Sequence, residues 1–201
     1  MLSFPTVHAL TECLLQAQHD TPPAPMGEPE QLGTIVLAQD RPIGPVRCHL
    51  RQLRILQLPL LGDPHHHTLP ALLHRFADTL APRPAAAGDH ITSSGRTRHE
   101  DAPLHPDDLA ALRLALSEPL PGLRLLAWAV CYDDVLADAE EPTTLRRVEA
   151  VDIDGRFYQL SRRATETGPV VLLDEHPNRD DLPATYPALA RLATTGWPAQ
   201  N

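Results

Sequence analysis

Residues 145–163, LRRVEAVDIDGRFYQLSRR, constrain this chain more than any other stretch. Strand-forming residues flank Asp154-Gly155, and a two-residue Asp-Gly loop supplies the positive φ angles of a type I′ turn. The sequence therefore predicts a β-hairpin over Leu145–Arg163. In that register Ile153 faces Arg156, Val151 faces Tyr158, Glu149 faces Leu160 and Arg147 faces Arg162. Like charges directly opposite one another destabilise a sheet. The last rung calls for an anionic group beside it, either from the chain itself or from a partner.

Hydrophobic periodicity places the other elements around this hairpin. Val7, Leu10 and Leu14 make one stripe over Thr6–Gln18, an amphipathic helix that stops at the prolines of Asp20–Glu30. Leu32–Ala38 is apolar and β-branched, a strand. Val46, Cys48 and Leu50 alternate with Arg47, His49 and Arg51, a half-buried strand whose phase slips near Leu53 and Ile55. A helical reading of Leu50, Leu53 and Leu56 stays open. Leu69, Leu72, Leu73, Phe76 and Leu80 form one face of a helix over Thr68–Leu80, with Thr68 as its cap. Pro106–Ser117 reads as another helix. Leu123–Tyr132 is apolar on both faces, as befits the middle of a sheet. Its two faces are Leu126, Trp128, Val130, Tyr132 and Leu125, Ala127, Ala129, Cys131. The acidic loop Asp133–Glu141 leads into the hairpin. Val170–Asp174 is a further strand, and Thr185–Thr194 closes the chain as a helix.

Pro82–Pro103 holds no aromatic residue, and Ile91 is its one large aliphatic. Such a segment cannot bury enough apolar surface to offset an ordering entropy of roughly 1–2 kcal/mol per residue. The expected architecture is α+β: a mainly antiparallel sheet of five or six strands, helices packed on one face, and a disordered central loop. Residues 1–81 make an N-terminal α-β-β-α half, 82–103 a linker or loop, and 104–201 a C-terminal α-β-hairpin-β-α half. The two halves stand apart or close into a single domain.

Composition narrows the partners. All 17 basic residues are arginine, and the chain is rich in Ala, Leu and Pro, the imprint of a GC-rich bacterial genome. The formal net charge is −9, opposite to the basic balance of proteins that grip nucleic acid by its backbone. Three cysteines, Cys13, Cys48 and Cys131, form no CxxC pair or disulfide framework. The start MLSFPTVHALTECLL lacks the basic opening of a signal peptide, and no apolar run reaches the roughly 20 residues of a membrane span. These features point to a cytoplasmic protein away from the membrane.

Three clusters carry chemistry. Arg146, Arg147, Arg162 and Arg163 sit at the open end of the hairpin, where planar guanidinium forks suit an anionic ligand or an acidic partner segment. The competing reading is internal compensation by Asp133–Glu141, Glu149 and Glu166. Asp63, His65, His66 and His67 offer a transition metal a carboxylate and imidazoles, although three adjacent histidines do not easily converge on one ion. Asp152-Ile153-Asp154-Gly155 is superficially similar to the DxDG strand end of haloacid-dehalogenase phosphatases. Those enzymes require a helix after the motif, whereas Phe157–Leu160 continues as strand here. As a calcium loop it places Arg163 where a bidentate Glu belongs.

No GxSxG elbow, phosphate-cradling glycine loop or GxGxxG occurs. Cys48 and His49 are adjacent on a strand and point to opposite faces, wrong for a thiolate–imidazole pair. No residue is assigned a catalytic role and no cofactor is required. The expectation is a non-catalytic cytoplasmic accessory, regulatory or assembly protein that binds another protein. The alternatives are a small metal-dependent enzyme built on Asp63, His65 and His67, and an anion- or nucleotide-binding module using the four hairpin arginines.

Overall fold

The computed structural model describes residues 1–20, 31–43, 51–61, 68–81, 110, 123–136, 143–163, 166, 168–178 and 181–195. Six strands form one antiparallel sheet: β1 (Gln31–Pro42), β2 (Arg51–Leu61), β3 (Arg124–Leu136), β4 (Thr143–Asp152), β5 (Phe157–Arg163) and β6 (Val170–Asp174). Their order is β2-β1-β3-β4-β5-β6, so β3 through β6 is a meander and β2 and β6 are the edges. The α+β class and the strand count agree with the sequence reading. The linker at 82–103 and the helix Pro106–Ser117 lie outside the described residues, apart from the helical Ala110.

Helices α1 (Phe4–Asp20) and α2 (Leu69–Leu80) follow the periodicities that foretold them, and α3 (Tyr186–Thr195) stands where the sequence reading closes the chain with a helix. Expected on one face, they divide between two. Leu72, Leu73, Phe76 and Ala77 of α2 join Ala188, Leu189, Leu192 and Ala193 of α3 over Ile35, Leu37, Leu60, Trp128, Val130 and Phe157. On the opposite face Val7, Leu10, Leu14 and Ala17 of α1 pack on Val36, Ala38, Ala127, Ala129, Val148, Ala150, Tyr158 and Leu160. The reason is the two-sided apolar character of β1, β3 and β4, which leaves two faces to cover. The alanine-rich floor lets a single helix approach closely, while the bulkier face takes two. None of the described helices is long and apolar enough to cross a membrane.

Local details depart from the sequence reading for identifiable reasons. A β-bulge lies between the pairs Ala38–Ala127 and Gln39–Leu125 and skips Leu126. It puts Leu125 on the Trp128 face, where strict alternation separates them. Strand β2 runs unbroken through Leu53 and Leu56, which removes the helical option. Thr68 stands at the start of α2 and its carbonyl accepts the Leu72 N–H at 3.0 Å, but its hydroxyl makes no cap bond. Asp133 and Asp134 are strand residues of β3 rather than loop.

The hairpin itself forms, one residue out of the expected register. Val151 pairs with Phe157, Ala150 with Tyr158, Glu149 with Gln159, Val148 with Leu160, Arg147 with Ser161 and Arg146 with Arg162. Asp152 and Arg156 close a three-residue loop through Asp152 N–H to Arg156 O (3.1 Å), and Gly155 N–H donates to Asp152 O (3.0 Å). Gly155 has φ +85°, and among the described residues no non-glycine residue has positive φ. This is the turn-plus-left-handed-glycine form of a three-residue hairpin, not a type I′ turn. A one-residue change of register exchanges the faces of every partner side chain.

Candidate interaction site

The four hairpin arginines do not converge. Pairing of Arg146 with Arg162 sets those two on the α1 side of the sheet, and the period-2 alternation sends Arg147 and Arg163 to the other side. Each of three is matched by a neighbouring carboxylate. Arg146 makes a two-pronged contact with Asp133, Nε to Oδ1 and Nη2 to Oδ2, both at 2.8 Å. That hydrogen bonding outweighs partial burial and holds the Arg146 guanidinium above its ordinary pKa. Arg147 Nε lies 3.0 Å from Asp134 Oδ2, an ion pair off the line of the N–H bond, so Nε gains charge balance without a hydrogen bond. Arg163 lies 3.7 Å from Glu166 at the surface. The like-charge rung foreseen from the sequence is real, but its members are Arg146 and Arg162, and Asp133 sits beside it.

Two buried carboxylates hold the hairpin from its two faces. Glu149, fully buried on the α2–α3 side, accepts hydrogen bonds from Tyr132 Oη (2.9 Å), Gln159 Nε2 (3.3 Å) and the Thr185 hydroxyl just before α3. Burial, then the nearby Glu149 charge, pushes the Tyr132 phenol well above its usual pKa. Asp152, fully buried on the α1 side, accepts four bonds. Asp154 N–H (2.9 Å) and Arg156 N–H (3.0 Å) donate to Oδ1, while Arg156 Nη1 (3.1 Å) and Tyr158 Oη (2.8 Å) donate to Oδ2. Asp154 also accepts from Arg156 Nη1 at 2.8 Å and from the Leu2 backbone, which ties the start of α1 to the turn. Burial pulls the Arg156 pKa down, and the two aspartates more than offset it. Charge on these groups is therefore spent inside the fold, where a buried ion must be paired and hydrogen-bonded.

Beside Glu149 a cavity of about 490 Å³ opens between β4, β5, β6 and the loop that enters α3. Arg147, Gln159 and Asp174 supply its polar wall and Phe157, Leu172 and Leu182 its apolar wall. Phe157 and Tyr186 meet edge to face at 5.7 Å behind it.

Strand β6 is legible in the sequence as a strand but carries no motif that marks it as a site. It is an edge, and its four apolar residues are exposed: Val170 65%, Val171 42%, Leu172 51% and Leu173 38%. Natural sheets blunt their edges with charge, proline or bulges. The other edge does so with Arg51, Arg54 and Pro59 on β2. Between Val170 and Leu173 β6 has none of these. The signal available was an uncharged apolar run placed last in a meander, since the last strand of a meander has a neighbour on one side only.

The remaining candidates hold no comparable arrangement. Asp63, His65, His66 and His67 lie outside the described residues, as do Cys48 and His49. Among the described residues no group of three or more His, Cys, Asp or Glu is placed to hold a metal ion. Burial, and then Glu12, raises the Cys13 thiol pKa, the wrong direction for a thiolate nucleophile. Cys131 is buried in the core under α1. Comparison with family models, curated proteins and solved structures finds no match for this chain.

Proposed function

We propose that this protein works by binding another polypeptide rather than by catalysis, as an accessory or assembly factor in the cytoplasm, and that strand β6 is its recognition element. The observation that carries this reading is the exposed, uncharged edge Val170–Leu173 beside a sheet whose other edge is protected. An extended segment added to such an edge gains main-chain hydrogen bonds along the strand. Alternate side chains on its two faces gain apolar contact. The cavity next to Leu172 supplies a recess for one side chain of the incoming segment on that face.

The ion pairs of Arg146, Arg147 and Arg163 support a structural role for those three, which leaves apolar contact and backbone pairing as the main source of affinity. Native-lysate cross-linking with tagged wild-type chain and with Leu172→Glu tests the proposal. The expected result is a cross-linked polypeptide that the variant loses while keeping its far-UV circular dichroism. An unchanged cross-linking pattern, or substrate turnover by the isolated chain, refutes it.

A further inference from the structure

We infer that the polypeptide that completes β6 is the β6 strand of a second copy of this chain, antiparallel about a two-fold axis through Leu172. This rests on the strand-addition reading above and names its partner. Antiparallel self-pairing is isologous: each residue of the strand meets the same short stretch of the other copy. With Leu172 opposite its own counterpart, Val171 faces the partner's Leu173 and Val170 faces the partner's Asp174. Every rung from Val171 to Leu173 is then apolar on apolar, and no like charges meet across the new ladder.

Charge placement selects this occupant and this direction. The start of β6 lies beside the basic end of β5, because Ser161 pairs with Val170 and Arg162 and Arg163 follow. Its far end is acidic, with Asp174 and then Glu175. An antiparallel second copy lays the acidic end of one strand against the basic end of the other, and does so twice. Continuing the β5–β6 ladder by one residue sets Arg162 level with Pro169. Continuing the self-paired ladder one residue beyond each end of β6 sets Pro169 level with the partner's Glu175, in the bend just after the strand. Arg162 and that glutamate are then two strand spacings apart, about 9.6 Å between backbones, a gap their extended side chains span together. Among the described residues neither Arg162 nor Glu175 is in an ion pair. Among the described residues Arg162 is thus the member of the hairpin quartet without a carboxylate partner.

Sedimentation velocity of the full chain across a concentration series decides the matter. Wild type should sediment as a reversible dimer. Leu172→Glu puts two carboxylates face to face on the axis and should raise the dissociation constant by more than about tenfold. Arg162→Glu or Glu175→Arg alone should weaken the dimer roughly three- to tenfold, since symmetry removes both ion pairs at once. The double variant Arg162→Glu/Glu175→Arg should restore it, a rescue that misfolding cannot imitate. A dimer indifferent to Leu172→Glu and to both charge reversals overturns the inference. A monomer at all concentrations also overturns it. If Leu172→Glu then still abolishes cross-linking to another protein, the strand-addition reading survives; if cross-linking is unaffected, both fall.

Discussion

Replacing Asp152 by Asn removes one negative charge beside the hairpin turn and turns one acceptor oxygen into an NH2 donor. Both Oδ1 bonds, to the N–H groups of Asp154 and Arg156, survive because the amide keeps one oxygen. At the other position an NH2 group confronts Arg156 Nη1 and the Tyr158 hydroxyl, which lie 3.1 and 2.8 Å from the present oxygen. The hydroxyl can rotate and accept; the guanidinium cannot. Arg156 keeps Asp154 at 2.8 Å, so it retains one of its two carboxylate partners. One charge-assisted bond is lost, at roughly 1.5–3 kcal/mol, and the three that survive fall to neutral strength, offset in part by the smaller desolvation cost of a neutral amide. The expected destabilisation is about 3 kcal/mol, a large share of the ~5–15 kcal/mol that holds a domain folded.

Urea unfolding followed by far-UV circular dichroism reads this as a midpoint shift of about 1.5 M, for a slope near 2 kcal/mol/M. Tyr158→Phe leaves Asp152 three of its four donors and should cost about 1.5 kcal/mol. Because the two changes damage the same bond, the double variant should fall short of additivity by about 1 kcal/mol. An Asp152→Asn effect below about 0.5 kcal/mol, or strict additivity, refutes the assignment of the network as the clamp of the turn.

Two further outcomes follow from the same geometry. Gly33→Ala would set its Cβ 2.8 Å from the Cys131 carbonyl oxygen, backbone against backbone between β1 and β3, and should destabilise by about 1–3 kcal/mol in the same urea assay. Gly168→Ala, with open space around it, is the control expected to leave the midpoint unchanged. Stability should also fall at both ends of the pH scale. Burial works against the Asp154 carboxylate, but the Leu2 N–H and Arg156 more than offset it and hold its pKa below the usual 3.8. Its contribution is complete above that value and lost as pH drops through the lower folded one. Burial first, then Glu149 and Asp152, raises the phenols of Tyr132 and Tyr158 above 10.0. Their contribution is complete below pH 10 and lost above it, as the unfolded tyrosines ionise. A urea midpoint that stays flat from about pH 9 to 11.5 contradicts this.

How far the sequence speaks can be judged from the turn. Asp154-Gly155 announces a reversal, because only glycine takes φ +85° without strain. It does not announce the loop length, since the same pair serves a two-residue loop with two left-handed residues or a three-residue loop with one. The choice falls to the Asp152 carboxylate, which holds the N–H groups of Asp154 and Arg156 on either side of the glycine. That one-residue difference changes which arginine meets Arg162. Periodicity found α1 and α2 because each has one dominant repeat, whereas β6 shows only as a short apolar run. It could not assign helices to faces, since β1, β3 and β4 are apolar on both. Nor could it identify Glu149 as buried, because its donors come from β3, β5 and a threonine 36 residues onward.

The same carboxylates also bear on what the open edge can do. Among the described residues strand β6 has β5 as its only strand neighbour, and its apolar side chains are exposed, so burial contributes little to holding it. Its position is set by β5, and β5 is fixed to β4 by Gln159 to Glu149 on one face and Tyr158 to Asp152 on the other. Directional bonds fix an angle and a register where apolar contact fixes neither. An edge presented in one register demands less ordering when a second strand docks, and that ordering is a main opponent of affinity. The buried acids of β4, costly to break singly although desolvation offsets much of what their bonds return, thus have a second role: they keep a strand without a core of its own in the geometry another strand can extend.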